Sequence, residues 1–232
     1  MKLNAILLAF PLLAAAGASH AATTAELKVI GTIVAPACDI DLTAGGQADF
    51  GDITRDVLSS TTSVALGSRS IDANVTCTAL TAVAIKFVDN KPTEKPAGSM
   101  NVKFENIEAA TASLATDNIF GLGMDNSKAI GGYAIRVGKI SVTNGGSTIE
   151  QPNVGSSATG LPSSWTNRST KYDVLHSAPY VTAGMNTSIT YANGTAFKFP
   201  LDVAASLDKS SNISGLADIP LAGSATLEVV YL

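Results

Sequence analysis

Apolar and polar residues alternate along much of this chain, and Gly, Asn, Asp and Pro interrupt the alternation at short intervals. A period of two is that of an extended strand with one face on a core. It predicts strands at "LKVIGTIV" (27–34), "CDIDL" (38–42), "RSIDANVTC" (69–77) and "AVAIKFVD" (82–89). Further on it predicts them at "GYAIRVGKISV" (132–142), "SITYA" (188–192), "FKFPLDVAASL" (197–207) and "ATLEVVYL" (225–232). "VTNGGST" carries an Asn-Gly pair suited to a tight hairpin turn. Only "ENIEAATASLATDN" (105–118) has the spacing of a short helix. Strands this frequent, with so little helix, predict an all-β sandwich. Two stretches break the rhythm and read as long loop insertions, 91–118 and 145–169. The lone Trp165 lies in the second, where pinning its loop to the sandwich is expected ahead of the alternative, a binding aromatic. "FGLGMDN" (120–126) lacks the third glycine of a dinucleotide loop and reads as backbone turning at a strand edge.

The first residues follow a different pattern. "MKLNAILLAFPLLAAAGASHAA" has one charge, Lys2, then an apolar run, then small residues at Ser19 and Ala21. This is the pattern of a secretory signal peptide over residues 1–21, cleaved after Ala21 with Ala22 next best. Its apolar run is too short to span a bilayer. The mature chain then has about 211 residues, enough for one domain with long insertions. Export to the periplasm or the cell surface places Cys38 and Cys77, the only two cysteines, in an oxidising compartment, where one intramolecular disulfide is the default. Removing the signal moves the formal charge from −4 to about −5, with no basic cluster to meet phosphates, so nucleic acid is excluded as a partner.

Candidate chemistry is sparse. The mature chain keeps one histidine, His176, in "YDVLHSAPY", without a nucleophile elbow anywhere. Asp39 and Asp41 alternate along a strand and are expected to face solvent. Two thiols and one distant histidine cannot complete a zinc site. No enzyme, cofactor or metal is expected.

The two ends of the mature chain carry more. Ala25, Leu27, Val29, Gly31 and Ile33 share one face of an extended segment. At the other end, in "GSATLEVVYL", Ala225, Leu227, Val229 and Tyr231 share a face, with Leu232 following. An alternating apolar segment with glycine in its fourth place, a cysteine shortly after it, a second cysteine ending a later strand, and a strand closing on a penultimate tyrosine resemble the subunits of chaperone–usher pili. The run "ELKVIGTIVAPACDI…GG…FG…LGSRS…VTCTALTAVAIKFVDN…FGLG…VVYL" is more closely similar to the pilin-like, periplasmic GltF-type family, whose biochemical role is unassigned.

The resemblance implies an immunoglobulin-like, pilin-type sandwich over 37–232 that lacks one strand, preceded by a donor-strand extension over 22–36. It implies that Ala25, Leu27, Val29, Gly31 and Ile33 enter a neighbouring subunit, and that Ala225, Leu227, Val229, Tyr231 and Leu232 edge the groove that a periplasmic chaperone first grips. An outer-membrane usher and neighbouring pilin-like subunits are the further partners implied, and the role implied is that of a structural subunit of a fimbria-like fibre. A soluble periplasmic binding or regulatory protein on the same fold is the alternative.

Overall fold

The computed structural model describes residues 25–33, 36–151, 153–156, 165–167, 171–174, 179–184, 191–213 and 217–232. The expected signal peptide and His176 lie outside them. The described residues form two units, 25–33 and 36–232.

In the larger unit, the first strands are β1 (Cys38–Leu42), β2 (Val64–Thr81), β3 (Val83–Asp89), β4 (Met100–Phe104) and β5 (Ala110–Leu114). They are followed by β6 (Phe120–Gly121), β7 (Met124–Asp125), β8 (Lys128–Ala129), β9 (Gly131–Val137), β10 (Ile140–Asn144) and β11 (Ser147–Gln151). The remainder are β12 (Asn153–Ser156), β13 (Thr166–Asn167), β14 (Tyr172–Asp173), β15 (Tyr180–Ala183), β16 (Gly194–Leu207) and β17 (Ala225–Tyr231). The unit is all-β. One sheet runs β1-β2-β16-β10-β11, with β9 also on β16 and β6 and β14 on β9. A second runs β13-β12-β15-β3-β17.

Alternation explains how the two sheets meet. Ile71, Ala73, Val75 and Cys77 of β2 and Phe197, Phe199 and Leu201 of β16 share a core with Val83, Ile85 and Phe87 of β3 and Val181 and Ala183 of β15. Pro200 interrupts a central strand, where proline is normally excluded. It sits where the neighbour of β16 changes from β10, paired at 196–198, to β9, paired at 201–207. The carbonyl of Pro200 accepts from Gly138 N–H in the turn between those neighbours. Even-numbered residues of β16 therefore point their backbone groups toward β9, and the missing N–H costs the β2 ladder nothing.

The segment expected as a helix is the main departure. Residues 110–114 form β5, paired with β4, and only Thr116–Asn118 make a 3₁₀ turn. Met100, Val102 and Phe104 alternate toward a second apolar cluster with Leu114, Ile119, Ala134 and Ala204. A hairpin with one apolar face buries that face on a sheet, which overrides the weak helical preference of an Ala-rich stretch. Ala134 and Ala204 belong to β9 and β16, so the hairpin covers the face of that sheet turned away from the main core. The first expected loop insertion is thus a third layer.

A buried polar cluster fastens this layer. The Arg136 guanidinium donates from Nε to Asp173 Oδ1 at 2.6 Å, and from Nη1 to the carbonyls of Ile107 and Glu108 at 3.1 and 2.7 Å. It also lies 3.8 Å from the centroid of the Phe104 ring. Asp202, fully buried, accepts from the N–H groups of Asn106 and Ile107 and from Asn106 Nδ2.

The second expected insertion begins as the predicted hairpin. Gly145 and Gly146, both at positive φ, turn β10 into β11, with Asn144 facing Ser147 across the turn. Further along, Trp165 is buried with Ala84 and Tyr180, and its ring meets Tyr191 edge-on at 5.9 Å. It pins its loop, as expected.

"FGLG" also behaves as read. Phe120 and Gly121 pair with β9, and a Cβ on Gly121 would collide with the Lys91 carbonyl.

Tyr133, stacked on Phe120 at 5.3 Å, buries a hydroxyl that has no hydrogen-bond partner among the described residues. Burial, helped by the nearby negative charge of Asp89, pushes its ionisation well above the ordinary tyrosine range. Above about pH 10 the unfolded chain ionises this tyrosine while the folded chain keeps its proton, so stability is expected to fall as pH rises. Tyr133→Phe should abolish that contribution and leave neutral-pH stability unchanged or raised by up to about 1 kcal/mol. Urea unfolding of both proteins at neutral and alkaline pH is the check.

Candidate functional site

Two edge strands on one side of the core leave it incompletely covered. β17 has β3 as its single neighbour among the described residues, and β1 has only β2. Antiparallel ladders alternate, so every second residue turns its N–H and C=O away from its neighbour. Ser224 accepts from Asn90 N–H and Leu232 donates to the Ala82 carbonyl, which places the even-numbered residues on the β3 side. The backbone groups of Ala225, Leu227, Val229 and Tyr231 therefore face the open edge. In β1, Thr78 N–H bonds the Ala37 carbonyl, so Cys38, Ile40 and Leu42 face outward in the same way.

Side chains tell the same story. Ala225, Leu227 and Val229 pack against the main core but stay half-buried, as do Ile40 and Leu42. One strand further in, Val83 and Ile85 of β3 are fully buried. Ala48, Phe50, Ile53 and Leu58, from the connection between β1 and β2, reach the same core and are also only partly covered. Arg55 holds that connection in place by donating to the carbonyls of Ile213 and Ala217. Arg69, above the Phe50 ring at 4.7 Å, donates to the Asp49 carbonyl.

The two lips meet at one point. The N–H of Cys38 donates to the Tyr231 hydroxyl at 2.9 Å. Behind it, Cys38 and Cys77 form the expected disulfide across a directly opposed pair, with Cα atoms 4.0 Å apart. On the outward face of β17, Glu228 meets Lys86 at 2.8 Å, and this hydrogen bond raises the lysine's pKa above its ordinary value.

The structure thus gathers the predicted residues of β17 and both cysteines into one seam, with Leu232 just past it and packed against the cluster of Ala84, Trp165 and Tyr180. Asp39 and Asp41 face solvent, as expected. The set Ala25, Leu27, Val29, Gly31 and Ile33 is different. Among the described residues, 25–33 form no paired strand, although alternation predicts one; a strand needs a ladder partner as well as a pattern. Leu27, Val29, Ile30 and Ile33 are each at least 90% exposed. A Cβ on Gly31 would touch nothing among the described residues. Sequence reasoning missed Phe50, Ile53 and Leu58, which follow no period and sit in a connection. Among the described residues, no group of three or more His, Cys, Asp or Glu side chains is placed to hold a metal.

A seam and a leading segment are parts that other chains can share. The family described as "Protein of unknown function (DUF1120)" matches residues 27–134. That span takes in most of the exposed segment, both cysteines and the strands through most of β9, but not β17. Along nearly the whole chain there is similarity to the uncharacterized protein YhcF of Escherichia coli K12, 29% identical with 92% of this chain and 93% of that one covered. Protein GltF of the same organism is 27% identical, covering 90% of this chain and 89% of its own. The expected likeness to the GltF-type family therefore has a whole-chain relative behind it. No solved structure matches the chain.

Proposed function

We propose that this protein is a structural subunit of a fimbria-like fibre, built on a pilin-type, immunoglobulin-like sandwich one strand short. Copies are joined by donor-strand complementation, and the role involves no catalysis. The observation that carries this reading is the pairing of an unfilled seam, edged by free backbone groups, with a fully exposed segment of the right alternation in the same chain. Such edges template aggregation unless a strand fills them, and strand addition fills them with backbone hydrogen bonds and alternate side chains. Leu27, Val29 and Ile33 would each contribute about 1.5–3 kcal/mol on burial in a neighbour's seam. Ala37 and Cys38 already donate to Thr78 and Tyr231. A periplasmic chaperone covering β17 before assembly, an outer-membrane usher, and a final place on the cell surface complete the proposal.

Gly31→Val supplies the test. The substitution meets nothing among the described residues of its own chain, so the fold is expected to stand, whereas the pilin resemblance implies a groove with no room for a side chain at that place. The wild-type mature chain, run unheated on a denaturing gel, is expected to give a heat-sensitive ladder. Gly31→Val and a deletion of residues 22–36 are both expected to run as monomers. A monomeric wild type, or a Gly31→Val ladder as strong as the wild type's, would sink the proposal.

A further inference from the structure

Elsewhere in the larger unit, three connections, β8 and the β4–β5 hairpin border an open cleft of about 600 Å³. That is the size range of small-ligand sites, which usually have mostly apolar walls. This one is polar and basic. Lys95, Lys128 and Lys209 line it, with Asp208 as its only acid. The chain as a whole carries a net charge of −4, so the local excess of positive charge runs against the average. Asp208 is already engaged, accepting from Lys209 N–H at 2.8 Å and from Asn212 Nδ2 at 2.6 Å. None of the three ammonium groups has a carboxylate within ion-pair distance among the described residues. Lys95 and Lys128 each give one hydrogen to a carbonyl, of Ile119 and Ser211, and Lys209 Nζ gives none.

Hydroxyl and amide groups surround these cations. Ser99, Ser113 and Asn101 also line the cleft, their side chains without hydrogen bonds among the described residues, and the Ser63 hydroxyl accepts from Asn101 N–H. The walls are also fixed in place. Ser59 anchors Thr61 and Thr62, Ser210 N–H bonds the Ser59 carbonyl, and Thr116 ties both backbone groups of Gly98. Converging cations with spare hydrogens, on a preorganised polar wall, suit an anion that also carries hydroxyls.

We infer that this cleft binds a small hydroxylated anion, a sugar bearing a phosphate or a carboxylate. The inference is independent of strand exchange, since no lining residue belongs to the seam or to residues 25–33. Isothermal titration of the mature chain with glucose 6-phosphate, glucuronate, glucose and inorganic phosphate tests it. Saturable binding is expected for at least one of the two anionic sugars, and the one preferred shows which anionic group the cleft selects. Glucose should not bind, and inorganic phosphate should bind more weakly than the preferred sugar. Lys128→Ala and Lys209→Ala each remove an exposed charge and should weaken binding about tenfold without changing thermal unfolding. Glucose binding as well as the anionic sugars, inorganic phosphate binding as tightly as they do, no saturable heat with either sugar, or unchanged affinity in the double lysine variant would each overturn it.

Discussion

Arg136→Ala is expected to destabilise the protein by about 3–5 kcal/mol, the range for stranding one partner of a buried ion pair. The guanidinium is 2% exposed near the C-terminal end of β9, and four groups depend on it. Asp173, 30% exposed, can recover part of its hydration, which favours the lower end of that range. The carbonyls of Ile107 and Glu108 cannot turn to water without moving the tip of the β4–β5 hairpin, and Phe104 loses the cation on its face. Lysine should not rescue the loss, because a single ammonium cannot reproduce a planar fork that meets a carboxylate and two carbonyls together. Urea unfolding of wild type, Arg136→Ala and Arg136→Lys decides the matter. A midpoint shift worth under about 1 kcal/mol in the alanine variant would show that the cluster is incidental to stability.

Replacing Cys38 and Cys77 together by serine is expected to cost about 2–4 kcal/mol, the usual value for a native disulfide closing a loop of this length. The bridge spans 39 residues. More telling is where the loss falls. β1 is five residues long, has one neighbour, and contributes only half-buried side chains. Without its covalent tie it should open well before β9 and β16, which are paired on both sides. Amide exchange at Asp39 and Asp41, whose N–H groups face β2, should therefore speed up far more than exchange at Phe199. One lip of the seam would be lost from a domain otherwise still folded, and the ladder expected of the wild type should vanish with it. Uniformly faster exchange would mean that the bridge supports the whole domain and not this lip.

Much of the architecture was legible in the residues because alternation is a local signal with one meaning when one face is buried. "CDIDL" and "ATLEVVYL" show this, with Ile40, Leu227 and Val229 inward and Asp39, Asp41 and Glu228 outward. The same signal misled at Leu27–Ile33, since alternation reports a strand's willingness to pair and is silent about whether a partner exists. It failed again at 105–118, where Ala and Thr fit either period and the decision came from a distant sheet face offered by Ala134 and Ala204. Of the seam, the β17 residues and the cysteines were readable. Phe50, Ile53 and Leu58 were not, because side chains that reach a core from an irregular connection leave no periodic trace. The lysine cleft was illegible for a related reason: Lys95, Lys128 and Lys209 come from three separated segments that only the finished fold brings together.

The bond from Cys38 to Tyr231 joins residues 193 positions apart. Synthesis delivers β1 early and β17 late, so this strand pair is a meeting that no partial chain can rehearse. β17 must also travel back across about 140 positions to find β3, whose Val83 faces Tyr231. Loop closure over such separations slows folding and leaves early strands bare in the meantime. The half-made protein is thus at its most adhesive while it waits for its final seven-residue strand, and any cell that makes it in quantity has reason to shelter the nascent chain until that strand arrives.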